Sequence, residues 1–146
     1  MRIFAIWLLL LAVSLTVFAT KEESAAQLVL RAESAPLDQQ PDLYLKAAAE
    51  ELKTTDALYN QGKVEEASNG VRQITDYADK ATDTAIRSGK KLKNAEIEIR
   101  KIATRLNNIQ HTLSFDDQAP VKTAIEHLED LRTKLLARMF SKDKKK

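Results

Sequence analysis

His111 and His127 are the only histidines of the 146-residue chain. Between them lie two adjacent carboxylates, Asp116 and Asp117, and Glu126 stands beside the second histidine. Imidazole and carboxylate together are common ligands of divalent transition metals, so this set is the first place to look for chemistry. Its spacing does not support a metal site, because the two histidines are not four apart on one helix, as metal-binding helices place them. Solvated histidines are the expected reading. His111 and Met139 are poorly arranged as an axial haem pair, and without cysteine no haem can be thioether-linked. Helix capping accounts for Asp116 and Asp117, and no base, nucleophile or glycine-rich phosphate loop accompanies them. The chain is therefore expected to be non-enzymatic, with no catalytic residue, cofactor or metal.

The elements that position these residues read as all-α. Residues 22–35 suit a short helix, and APLDQQPD, with Pro36 and Pro41, punctuates the chain after it. From Asp42 to Asn60, Leu45, Ala48, Leu52, Leu58 and Tyr59 keep helical spacing, and Gln61-Gly62 closes that helix. GKVEEA, residues 62–67, resembles the glycine turn and second-helix start of a tetratricopeptide repeat. In this turn alone the resemblance implies a helical hairpin with Ala67 at a small packing position. After LSFDD, Asp117 suits an N-cap and Pro120 a first turn, and Val121, Ala124, Ile125, Leu128, Leu131, Leu135, Leu136 and Met139 form a broad apolar stripe ending near Phe140.

The strongest pattern lies between these flanks. Steps of three and four residues visit Val64, Ala67, Val71, Ile74, Ala78, Ala81, Ala85, Ser88, Leu92, Ala95, Ile99, Ile102, Leu106, Ile109 and Leu113, and only Ser88 is polar. Such a repeat is the mark of a packed helical seam. Arg87 and Gly89 look like a helix end. A new helix at Lys90, however, would set Lys90, Lys91 and Lys93 against the positive end of its own dipole, and the apolar phase passes Ser88 without slipping. The expected architecture is an antiparallel, coiled-coil-like helical bundle with one long central helix over about 63–113 and shorter helices folded back on it. The alternative is a compact four-helix bundle bent at Gly89. Residues 1–19, 20–41, 42–140 and 141–146 then form a signal peptide, a short helix with linker, the helical domain and a lysine-rich tail.

With a straight central helix, simple register leaves residues 83–93 uncovered by either flanking helix. Ala85, Ile86 and Leu92, rimmed by Arg87, Lys90, Lys91 and Lys93, are then the candidate contact surface for a partner. The competing expectation is that the helix at 22–35 covers this gap.

Residues 3–19 are apolar apart from Ser14 and Thr16, follow Arg2 and end in Val17-Phe18-Ala19. This is the pattern of a secretory signal peptide cleaved after Ala19. An uncleaved inner-membrane anchor made by residues 3–19 is the alternative. With no cysteine and no Asn-X-Ser/Thr acceptor, a bacterial periplasm or exterior is the expected location. The formal net charge is only +2, and the tail SKDKKK carries four lysines. The cations lack the clustering on a folded face that nucleic acid requires. The expected partner is another protein, or a second copy through helix contacts, and the basic tail could meet anionic lipid or an envelope polymer.

Overall fold

The computed structural model describes residues 22–143, with side chains through Ser141. The signal peptide, its cleavage at Ala19 and the last three lysines of the tail lie outside the described residues. The described chain is all-helical: α1 (Ala25–Ser34), α2 (Gln40–Asn60), α3 (Val64–Ser88), α4 (Leu92–Gln110) and α5 (Gln118–Asp143), with a 3-10 turn at Phe115–Asp117 and no strand among these residues. No described helix is long and apolar enough to cross a membrane.

Local chemistry sets the ends of the first helices. Ser24 caps α1 in a reciprocal box: its Oγ accepts from the Gln27 amide, and the Gln27 side chain accepts from the Ser24 amide. Pro41 falls in the first turn of α2, where a missing N–H costs nothing, so the expected linker shrinks to a turn. Gly62 turns left-handed at φ 74° after α2. The Lys63 amide then donates to the Leu58 carbonyl at 3.0 Å and the Gly62 amide to that of Tyr59 at 3.0 Å, the paired bonds of a Schellman cap. Ala67 is fully buried just beyond the turn.

The continuous helix expected over 63–113 does not form. Gly89 (φ 66°) and Lys91 (φ 62°) are both left-handed, and the chain turns between α3 and α4. The Gly89 amide closes α3 on the Ala85 carbonyl at 2.9 Å, and the Ser88 Oγ accepts from the Lys90 amide at 3.1 Å. The electrostatic objection to a helix start is met from another helix. Asp42 of α2 pairs with the Lys91 Nζ at 3.0 Å and accepts from the Asn94 side chain at 2.7 Å. A distant carboxylate thus sits at the α4 N-terminus, where both the helix dipole and the lysines favour it. Left-handed backbone suits glycine and penalises residues with a Cβ. Gly89→Ala should therefore lower stability by about 1 kcal/mol, the opposite sign from the gain that alanine would give inside a continuous helix. Urea unfolding reads the difference.

With this turn, one core serves both halves of the 3,4 seam. Val71, Ile74, Ala78, Ala81 and Ala85 of α3 and Leu92, Ala95, Ile99, Ile102, Leu106 and Ile109 of α4 are buried together with Leu45, Ala48 and Leu52 of α2 and Val121, Leu128, Leu131 and Leu135 of α5. The largest interfaces are α2 with α3 and α4 with α5; α3 also packs on α5, α2 on α4, and α1 along α2. An ion pair, Asp56–Arg105 (2.8 Å), and a hydrogen bond, Asp79–His127 (2.8 Å), cross between halves. Glu96, only 8% exposed, takes two bonds from the Arg132 guanidinium at 2.9 and 2.7 Å, fixing α4 against α5. This hydrogen bonding raises the Arg132 pKa above its ordinary value.

Small residues bring α2 and α3 close. A Cβ on Gly70 would lie 2.2 Å from the Thr55 Oγ1 and 3.0 Å from a Glu51 carboxylate oxygen. The same crowding desolvates Glu51 and pushes its pKa up. The native state then binds a proton more readily than the unfolded chain, so stability falls as pH rises through the native pKa and stays lower above it. Relative to the native chain, Glu51→Gln should therefore raise Tm at pH 7 and lose that advantage at pH 3.5. Thermal unfolding at the two pH values tests this.

Candidate functional site

The turn between α3 and α4 dismantles the uncovered surface expected at residues 83–93. Ala85 is fully buried, Leu92 is 7% exposed, and Ile86 is half-buried against the core. The premise fails because α4 comes back alongside α2, which packs on both α3 and α4. α1 lies along α2 and adds Ala32 to the core. Of the seven candidate contact residues, the exposed ones are Arg87, Lys90, Lys91 and Lys93. Arg87 is paired with Asp83 at 3.1 Å and Lys91 with Asp42. The charged rim is present without the apolar floor it was expected to surround.

The histidines have separate surroundings. His111 is exposed at the C-terminal cap of α4. His127 projects from α5 to Asp79 of α3, its Nε2 2.8 Å from a carboxylate oxygen. Among the described residues no group of three or more His, Cys, Asp or Glu side chains is placed to hold a metal ion. Asp117 accepts from the Ser114 hydroxyl at 2.7 Å in the 3-10 turn that leads into α5, and Asp116 is exposed. Lys80 lies over the Tyr44 ring at 5.6 Å, a cation–π contact.

A groove of about 530 Å³ lies between α3 and α5. It is lined by Val71, Arg72 and Thr75 of α3 and by Ala119, Pro120, Thr123, Ala124 and His127 of α5. Local sequence explains the hollow. The first turns of α5 bury Val121 and Ala124 in the core but line the groove with alanine, proline and threonine, whose short side chains leave space beside α3. Arg72 is held by the Asn69 side chain, and the His127–Asp79 pair closes one end. Phe115 is 88% exposed in the 3-10 turn that leads into α5. The groove offers apolar contact bounded by one guanidinium and one imidazole, with no nucleophile–base pair among its lining residues.

Sequence reasoning marked Val71 and Ala124 as core positions and missed the groove. The signal that could have shown it is the set of short side chains Ala119, Pro120, Thr123 and Ala124 at the start of a helix whose later core positions are Leu128, Leu131 and Leu135. Comparison with protein-family models, curated proteins and solved structures finds no match to this chain.

Proposed function

We propose that this protein is an exported, non-enzymatic helical interaction module whose helices α2 to α5 form an antiparallel four-helix bundle, and that it binds another protein through the groove between α3 and α5. The observation that carries this reading is an apolar, solvent-open hollow of about 530 Å³ beside the common helical core. A partner helix presenting one apolar side chain fits it, with a carboxylate on the partner meeting Arg72 at the margin. Export rests on the signal-peptide pattern of residues 3–19, and a periplasmic or extracellular location on the absence of cysteine. The competing reading is an envelope-associated spacer held by residues 3–19 and by its lysine-rich tail.

Thr123 is exposed on the α5 side of the groove, so Thr123→Trp should fill the hollow without disturbing the core. Crosslinking in the native host, followed by purification, should yield a defined adduct with the native chain and about tenfold less with the variant, at stability within about 0.5 kcal/mol of native. An undiminished adduct would remove the groove from consideration. Recovery of the full-length chain in membranes, releasable by salt, would favour the spacer.

A further inference from the structure

We propose that the α3–α4 corner is a hinge through which two copies of this chain exchange their α4–α5 halves, with α3 and α4 joining into one continuous helix in each copy. The inference does not depend on the groove as a partner site, which would re-form between copies from the same residues.

Four observations lead to a second copy as the partner. First, the 3,4 apolar repeat keeps its phase across the corner, from Ala85 through Ser88 to Leu92, and residues 64–113 contain no proline. A bent chain has no need of that phase, because α3 and α4 are separate helices and could bury faces in any relative register. A straight one requires it. On a continuous helix Gly89, Lys90 and Lys91 fall between seam positions 88 and 92, so straightening exposes no apolar side chain at the joint.

Second, the bent form carries strain that the straight form loses. Lys91 is the only non-glycine residue with positive φ among the described residues. Lys90 and Lys93 stand at the positive end of the α4 dipole, which Asp42 offsets through Lys91 and which ceases to exist at that point once the helices fuse. Short, strained connections are the usual origin of exchanged dimers.

Third, the chain divides naturally at this joint. α2 with α3 and α4 with α5 share the largest interfaces, and each pair lies on one side of the hinge. Direct contact between α3 and α4 is slight.

Fourth, the contacts that join the halves lie between helices on opposite sides of the hinge. Asp56–Arg105 links α2 to α4 and Asp79–His127 links α3 to α5. Both can be remade with the other copy's helices, in a closed two-fold arrangement.

The hinge residues set the balance. Relieving one left-handed residue is worth roughly tenfold in an equilibrium constant. Gly89→Ala with Lys91→Ala should therefore raise the dimer association constant at least about tenfold over the native chain, read by light scattering after size exclusion. Lys91→Gly should lower it. Because the chain has no cysteine, spin labels can be placed at Glu66→Cys and Asn108→Cys. In dimers containing one labelled copy among excess unlabelled ones, the intrachain distance should be about 63 Å, forty-two residues along one helix. Dimers with a short intrachain distance would show ordinary side-by-side association and overturn the exchange. So would association constants indifferent to both hinge variants. Should the double alanine variant fail to fold, the same distance measured on native chain refolded at high concentration decides the question: only the short distance would reject the proposal.

Discussion

Leu92→Ser should cost about 3 kcal/mol of stability, within the range for emptying a buried aliphatic position, with a further penalty for the buried hydroxyl. Leu92 is the first residue of α4 and is 7% exposed. On a straight central helix it would have lain in an uncovered stretch, where serine changes stability by a few tenths of a kcal/mol. In the bent chain it is among the first side chains to re-enter the common core after the corner. Its neighbour Lys93 is exposed and provides the control: Lys93→Ser should stay within about 0.5 kcal/mol of native. Urea unfolding of the two variants side by side measures the contrast, and equal midpoints would place Leu92 outside the core.

Gly70→Ala should destabilise by about 2 kcal/mol, although alanine is the better helix former by about 1 kcal/mol at a mid-helix position. The added methyl would meet the Thr55 Oγ1 at 2.2 Å and the Thr55 Cβ at 3.3 Å. Thr55 is fully buried, so its side chain has little freedom to move aside. Its hydroxyl, moreover, has no hydrogen-bond partner. Removing it should therefore restore space and also relieve an unsatisfied polar group. Thr55→Ala combined with Gly70→Ala should recover most of the loss, with a coupling of at least about 1 kcal/mol between the two sites. Additive losses would mean that α2 and α3 do not approach closely at this point.

These two positions also show what was legible in the chain. The 3,4 repeat identified the buried apolar side chains of α3 and α4 apart from Ala103, Leu92 included, because burial of a face is what the repeat encodes; it did not mark Gly70, Thr82, Thr84 or Glu96, which are buried as well. It does not by itself decide whether the helix carrying that face is one piece, since two helices sharing a core can also carry a repeat that stays in phase across the turn between them. Arg87 and Gly89 did signal an end. The argument against a new helix at Lys90 was electrostatic and local, whereas the answer, Asp42, lies on α2. Long-range charge placement is invisible before the fold is known. Gly62 was readable because its cap is made by residues within five positions of it. Gly70 was not, because the reason for a glycine there is a threonine on another helix. The groove between α3 and α5 was missed for a related cause: small residues at the start of α5 look apolar in sequence, and only the distance to α3 shows that they leave a space.

The central structural claim is that the chain reverses at Gly89–Lys91, so that α4 returns beside α2. The most direct measurement is the spin-label distance between Glu66→Cys and Asn108→Cys in the isolated monomer. Gly70 touches Thr55 and Arg105 touches Asp56, so both labelled regions lie near one stretch of α2. A single distance below about 35 Å, three helix diameters, is expected. A monomer with a distance near about 63 Å would contradict the reversal and restore the single long helix.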